Sequence, residues 1–354
     1  MLEKTYAKVK GIVHKCRKDY YLHLWEKDDW NQEGMICLYE LLEKHQVAGD
    51  DLGTFKYVED DMKIYLDYLT STVKTNFSKL RIVIDTANGA AYRVASKVFQ
   101  NLGADVIVIN NIPNGKNINV NCGSTHPELL QEVVKVYKAD LGLAYDGDAD
   151  RCLAVDERGH VVDGDLILYV CGCYLNKYGR LAKQTVVTTV MSNFGLFKAF
   201  EDAGLSYEKT DVGDKNVYAC MNEHEYSLGG EQSGHIIFGD LEKTGDGIMT
   251  SLRIMEVLRA EREKLSELVR PVRLYPQQLI NVRVTDKNAA IGSTSVTAAI
   301  AAAEKHLEGD GRVLVRASGT EPLIRVLAEA SSERLCQEAN DIVLKSLEPF
   351  KCMA

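Results

Sequence analysis

The chain has 354 residues, 45% of them hydrophobic and 26% charged, with a formal net charge of −9; this composition suits a globular protein of about two or three domains. The acidic balance gives no footing for nucleic acid, and no apolar run approaches the roughly 20 residues that span a bilayer. Nine cysteines without zinc-type pairing, behind a polar, mixed-charge opening over residues 1–10, point to a reducing cytoplasm.

In chain order, residues 1–45 form an atypical N-terminal segment whose only regular feature is an amphipathic helical pattern over 35–46. Residues 46–75 read as connecting helices. From about 80 to 260, strand and helix patterns alternate, which argues for open α/β units with mostly parallel sheets. Residues 81–85 predict a strand that ends in the turn Thr86-Ala87-Asn88-Gly89-Ala90. A second strand follows over 104–109, a helix over 128–137 and a third strand over 139–144. Together 76–158 make one α/β domain. The next domain, 159–265, repeats the logic with a helix over 165–176, a strand over 185–189, a helix over 193–202 and a strand near Tyr207. Within the first of these helices, Cys171-Gly172-Cys173 sits among apolar residues and reads as small buried hydrophobes rather than a redox pair. A helix over 247–263 leads to a break at Arg270-Pro271. Beyond it, patterns over 277–284, 296–306, 312–315, 323–330 and 332–347 predict a small β-rich α+β domain, 270–354.

The most informative stretch is Asp146-Gly147-Asp148-Ala149-Asp150-Arg151, set between two apolar strand patterns. Alternate residues of a tightly turned segment point the same way, so three hard oxygen donors converge. Such carboxylates repel one another unless a divalent cation lies among them, and oxygen-only ligands favour magnesium or calcium. The competing calcium EF-hand needs glycine at its sixth position, where Arg151 stands, and helices on both sides. A magnesium site at the carboxyl end of a strand, with Arg151 placed to support a phosphate, fits better.

Two further loops carry chemistry. Gly229-Gly230-Glu231-Gln232-Ser233-Gly234-His235 is a glycine-bounded loop whose Glu231, Ser233 and His235 suit vicinal hydroxyls; its bland reading is a polar hairpin. Arg316-Ala317-Ser318-Gly319-Thr320-Glu321-Pro322-Leu323-Ile324-Arg325 packs two guanidinium groups and two hydroxyls around one glycine. Backbone N–H groups and bidentate arginines make a phosphate cradle. Without the helix-starting lysine of a P-loop, it suits a sugar phosphate rather than a nucleoside triphosphate.

These three loops, in this order, resemble the α-D-phosphohexomutase superfamily, and the E-Q-S-G-H wording resembles its phosphoglucosamine mutase branch. Asp85-Thr86-Ala87-Asn88-Gly89-Ala90, Met191-Ser192-Asn193 and Thr244-Gly245-Asp246-Gly247 support the likeness. The resemblance implies consecutive α/β domains with mixed sheets and a C-terminal α+β domain. It implies Mg2+ at Asp146, Asp148 and Asp150, with Arg151 in support. It implies sugar contacts from Glu231, Ser233, His235 and Lys215, and a phosphate held by Arg316, Ser318, Gly319, Thr320 and Arg325. The expected reaction interconverts glucosamine 6-phosphate and glucosamine 1-phosphate through a phosphoserine and a glucose or glucosamine 1,6-bisphosphate.

The sequence departs from the pattern in three places. Ala149 replaces a glycine of the usual D-G-D-G-D-R loop, and Lys215 stands where the family carries arginine. Most consequentially, no serine precedes Ser71 and no S-H-N-P run occurs, so the expected catalytic serine is absent. The relay needs that nucleophile. The chain is therefore expected to be a truncated mutase, weak or inactive alone, acting as a homodimer or with a complementing chain that supplies the missing domain. The alternatives are a catalytically silent sugar-phosphate-binding protein, or a truncated phosphomannomutase or phosphoglucomutase.

Overall fold

The structure, a computed structural model, describes residues 59–318 and 321–352. The readings of 1–45 and of the helical pattern over 35–46 lie outside these, as do Gly319 and Thr320 of the arginine loop.

The first unit runs from helix α1 (Glu59–Ser71) through strand β1 (Arg81–Asp85), helix α2 (Ala95–Asn101), strand β2 (Asp105–Ile109) and helix α3 (Glu128–Tyr137). It closes with strands β3 (Leu141–Tyr145), β4 (Cys152–Asp156) and β5 (Val161–Val162). The sheet order is β2-β1-β3-β4-β5, with β1 parallel to both β2 and β3 and the pairs β3/β4 and β4/β5 antiparallel. Every residue of β3 is buried, as are Ile82 to Asp85 of β1, because central parallel strands are covered on both faces. Sequence places α1 among the connecting helices of 46–75. The structure buries its Leu69, with Val73 and Phe77 just beyond, in one core with Ile82 and Phe99. That burial anchors the helix to the first sheet.

The second unit begins with α4 (Gly164–Lys177), capped by the Asp163 carboxylate accepting from Leu166 N–H. Its helix is apolar nearly all round, and such helices lie inside a protein. Cys171 is buried there as a free thiol pushed up to about 12 by burial. The unit continues with β6 (Thr185–Thr189), α5 (Phe194–Asp202), β7 (Ser206–Thr210), α6 (Asp214–His224), β8 (Leu228–Gly230), β9 (Ile236–Phe238), α7 (Gly247–Glu261) and the short α8 (Leu265–Leu268). The sheet order is β7-β6-β8-β9, parallel except for the antiparallel pair β8/β9. Each sheet thus carries a hairpin whose tip lies at the carboxyl end of a parallel strand. These two tips carry the acidic and the Glu231 loops. One continuous core joins the units, from Leu69 and Ile82 to Phe200 and Leu265.

The third unit contains β10 (Gln277–Arg283), α9 (Lys287–Ile291), α10 (Thr294–His306), β11 (Gly311–Ala317), β12 (Leu323–Ala330) and α11 (Glu333–Leu347). Its sheet, β10-β12-β11, is wholly antiparallel. It has a separate core, in which Val282, Ile324 and Val326 meet Val296, Ala303 and Val343 of the helices. Burial alternates along β10, as expected of a sheet packed on one face only.

A buried ion pair fastens this unit to the second. Glu329, fully buried, accepts from Arg312 Nε at 2.7 Å, from Gln277 at 2.8 Å and from Phe194 N–H at 2.9 Å. Arg312 also donates to the carbonyls of Val190 and Ser192 at 2.8 and 2.5 Å. The C-terminal sheet is therefore bonded directly to the Met191-Ser192-Asn193 turn.

Candidate functional site

The acidic loop is the turn of the β3/β4 hairpin, flanked by strands and not by the helices of an EF-hand. Ligand atoms of Asp146, Asp148 and Asp150 lie within 4.8 Å of one another. Asp146 is raised to about 7, first by burial and then by the charges of Asp150 and Asp148. Asp150 behaves oppositely: burial pushes it up, but the hydrogen bond and charge of His235, helped by Arg151, outweigh burial and hold it low. Its Oδ1 is buried without a hydrogen-bond partner. Arg151 supplies a backbone N–H to Asp146 Oδ1 at 3.1 Å, and its Nε stands 3.7–3.9 Å from Asp150 and Asp146. Crowded carboxylates with an orphaned buried oxygen and only distant guanidinium charge are the donor set a divalent hard cation satisfies.

Close backbone approaches fix the loop. A Cβ on Gly89 would meet the backbone oxygen of Gly147 at 2.3 Å, and Ala90 N–H donates to Gly147 O at 2.8 Å. Ala149 takes φ 65°, a left-handed conformation that glycine adopts without strain. From behind, Gly247 N–H donates to Ala149 O at 2.9 Å. Asp246 caps α7 through Ile248 and Met249 N–H and accepts from Tyr65 OH at 2.7 Å. A cavity of about 310 Å³ opens here between α1, the turn before α2, and the acidic loop, with Tyr65, Ala91, Asp148, Asp150 and Asp246 among its lining.

The second hairpin is stitched to the first. Cys152 N–H donates to Gly234 O at 3.0 Å, and Gly234, at φ 92°, lies so close that a Cβ would meet Cys152 O at 2.4 Å. His235 is 4% exposed. Its Nδ1 meets Asp150 Oδ2 at 3.2 Å, while Nε2 accepts from Gly245 N–H at 2.9 Å. Burial lowers its basicity, but the bond and charge of Asp150 raise it further, for a net upward shift. Sequence assigns His235 to sugar hydroxyls; the structure occupies both ring nitrogens within the protein and sets the ring behind Asp150. Glu231 Oε1 accepts from Gly213 N–H at 2.9 Å, which draws the start of α6, with exposed Lys215 in its first turn, to the hairpin. Ser233 is exposed at the tip.

Arg316 and Arg325 face each other across β11 and β12 and line a cavity of about 220 Å³ with Met191 and Gln277. Two like charges directly opposite on a sheet destabilise it unless an anion lies between them. Arg325 Nε is buried without a partner, and its nearest carboxylate, Glu321, is 4.0 Å away. Ser318 is buried, its N–H donating to Leu323 O at 2.8 Å and its carbonyl accepting from Lys287 at 2.7 Å. Among the described residues no hydrogen bond or ion pair joins this arginine site to the acidic loop. The C-terminal unit meets the second unit instead, at Met191 and at the Arg312–Glu329 pair.

Sequence reasoning passes over Arg312, Glu329 and Tyr65. Asp246, marked in sequence only by the family likeness of Thr244-Gly245-Asp246-Gly247, also carries the N-cap signal of an acid immediately before a helix pattern.

Two mixed α/β sheets with hairpin-borne acidic and polar loops, followed by an antiparallel domain with a paired-arginine cradle, define a phosphohexomutase-type protein. Consistent with that class, residues 63–159 and 163–275 match phosphoglucomutase/phosphomannomutase alpha/beta/alpha domains II and III, and 279–345 match the C-terminal domain of that family. The chain belongs to the phosphoglucomutase/phosphomannomutase family, of which it carries these three domains. It is 53% identical over 280 residues to a phosphoglucosamine mutase of Lachnospira eligens, covering 79% of this chain and 62% of that protein. It is 51% identical over 290 residues to that of Geobacillus thermodenitrificans, covering 82% of this chain and 64% of the relative. The chain thus spans somewhat under two thirds of the length of these relatives. The fold is similar to that of Aspergillus fumigatus N-acetylphosphoglucosamine mutase in complex with GlcNAc-6P and magnesium, with TM-score 0.67, 22% identity and coverage of 84% of this chain and 72% of that one. A phosphoglucomutase/phosphomannomutase family protein of Burkholderia thailandensis gives TM-score 0.68 at 22% identity, covering 90% of this chain and 70% of that one.

Proposed function

We propose that this chain carries the metal, sugar and phosphate sites of a cytoplasmic phosphoglucosamine mutase, acting on glucosamine 6-phosphate and glucosamine 1-phosphate through a bisphosphate intermediate. The observation that carries the reading is the convergence of Asp146, Asp148 and Asp150 within 4.8 Å, bonded through Cys152 and His235 to the Glu231 loop. The choice of glucosamine rests on the identity to phosphoglucosamine mutases and on the E-Q-S-G-H wording.

The three aspartates would hold Mg2+, which when bound neutralises charge on a transferring phosphate. The remaining work falls to the chain's own groups. His235 fixes Asp150, and Arg151 offers its guanidinium toward the phosphate that approaches the loop. Glu231 and Ser233 take sugar hydroxyls, with Lys215 alongside. Arg316 and Arg325, with Ser318, Gly319 and Thr320, anchor the phosphate that does not react. Sites for a reacting and a resting phosphate suit a bisphosphate that is bound in two orientations. The relay itself needs a nucleophilic serine, and the S-H-N-P run that carries it in the family does not occur among these 354 residues. The chain by itself binds the sugar phosphate and turns it over weakly or not at all; a complementing domain restores turnover.

The test pairs calorimetry with a coupled mutase assay, using glucosamine 6-phosphate, magnesium and glucose 1,6-bisphosphate on the purified chain. Magnesium-dependent binding without turnover is the expected result. Absence of sugar-phosphate binding removes the proposal, and robust turnover shows that another residue carries the phosphoryl group.

A further inference from the structure

A cavity of about 500 Å³ lies away from this site, at the amino ends of β1 and β3 and therefore at the opposite end of the first sheet from the acidic loop. It opens between the first two units, where α3 and α7 both end. Lys135, Lys138, Arg259, Arg262 and Lys264 line it, together with Asp140, Glu157 and Glu263. Two of the three acids are engaged elsewhere: Asp140 accepts from Arg81 N–H at 2.8 Å, and Glu157 accepts from the Ser266 hydroxyl at 2.6 Å. None of the five cations has a carboxylate within 4.0 Å among the described residues, although the charge of Lys264 reaches Glu157, and Arg259 Nε is buried without a hydrogen-bond partner.

Helix geometry accounts for part of this charge. Lys138 and Arg262 are the left-handed C-caps of α3 and α7, and cations at helix C-termini offset the macrodipole. That effect explains about one cation at each end, not five around one concavity in a chain of net charge −9. The floor is apolar, formed by Leu80, Ala139, Leu258 and Leu265, and the volume falls within the roughly 300–1,000 Å³ of small-molecule sites.

We propose that this cavity binds a small organic ester bearing two or more phosphate groups, with its phosphates on the Lys138, Arg259 and Lys264 side and its organic part on the leucine floor. A ligand there bridges the two α/β units from behind, without touching the metal loop.

The experiment measures binding calorimetrically on the full chain in the absence of divalent metal, with adenosine diphosphate and inorganic pyrophosphate as probes. The background is Arg316→Gln with Arg325→Gln, so that the front cradle takes neither probe. Adenosine diphosphate should bind more tightly than pyrophosphate, and Lys138→Gln with Lys264→Gln should weaken it by about tenfold. Both lysines are exposed, so their variants should remain folded without ligand, with a loss of at most about 1 kcal/mol from the α3 C-terminus. Arg259→Gln should weaken binding in the same way. Equal or tighter binding of pyrophosphate overturns the organic ester. No binding in the cradle-less background, or binding indifferent to the lysine and arginine changes, overturns the site.

Discussion

The acidic loop and the arginine cradle are built in opposite ways. Both concentrate charge of one sign, three carboxylates in the first case and two guanidinium groups in the second. The acidic loop is held by backbone on every side: Ala90 N–H grips Gly147, Gly247 N–H grips Ala149, and the neighbouring hairpin is tied to Cys152. Its geometry survives the repulsion among its side chains. The cradle depends on strand register alone to oppose Arg316 and Arg325, and it belongs to a unit with its own core, fastened by one buried ion pair. A metal loop must keep its donors within a few tenths of an ångström, and rigid anchoring provides this. A paired-arginine site that recognises an anion needs charge more than fixed distance.

The sharpest way to break this comparison is Glu329→Ala. It removes the fully buried carboxylate and leaves Arg312, 17% exposed, with only the Val190 and Ser192 carbonyls; breaking a buried pair of this kind typically costs about 3–5 kcal/mol. Thermal or denaturant unfolding should show a large loss of stability with the C-terminal unit unfolding first, while magnesium affinity in the remaining folded population stays unchanged.

Next comes a buried acid at the joint between the regions. Asp165 is fully buried, accepts from Asn193 N–H at 2.7 Å, and is raised to about 7 by burial first and by the charge of Asp163 second. A carboxyl raised on folding contributes its stability below the unfolded value near 3.8 and loses it as pH climbs through the folded value. Asp165→Asn should therefore match the parent near pH 4 and exceed it at pH 8 by about 1–4 kcal/mol. A pH-independent difference in melting temperature would remove that account of the joint.

Arg316→Ala should cost about 1.5–3 kcal/mol of sugar-phosphate affinity, the range for a hydrogen bond to a charged group. Calorimetry should leave magnesium binding untouched; an unchanged sugar-phosphate affinity places the resting phosphate elsewhere. The smallest effect belongs to Ala149→Gly, which relieves a left-handed φ of 65° but loosens the unfolded chain. A net gain of about 0.5 kcal/mol is expected, and a loss would mean that the alanine methyl packs usefully against its surroundings.

The contrast also explains what could be read from sequence. Alternating carboxylates between two apolar runs identify the hairpin and its charge, because both signals are local in the chain. The architecture of all three units was legible for the same reason: buried strands read as continuous apolar runs in the first two, and β10 alternates in the third. His235 was legible as a polar loop residue but not as the support of Asp150, which lies 85 positions earlier, because nothing local indicates that the two hairpin tips meet. Arg312 and Glu329 look like ordinary strand charges until the sheet docks on the Val190–Phe194 turn. Helix α1 reads as a connector, since only its contacts reveal that Leu69 belongs to the first core.

The most direct test titrates magnesium into the chain and into Asp148→Asn, whose side chain is exposed at the loop tip. The parent should bind one magnesium, and the variant should bind it at least about tenfold more weakly, as removal of one hard anionic ligand requires. Equal affinity in the two proteins would contradict the assignment of the acidic loop as the metal site.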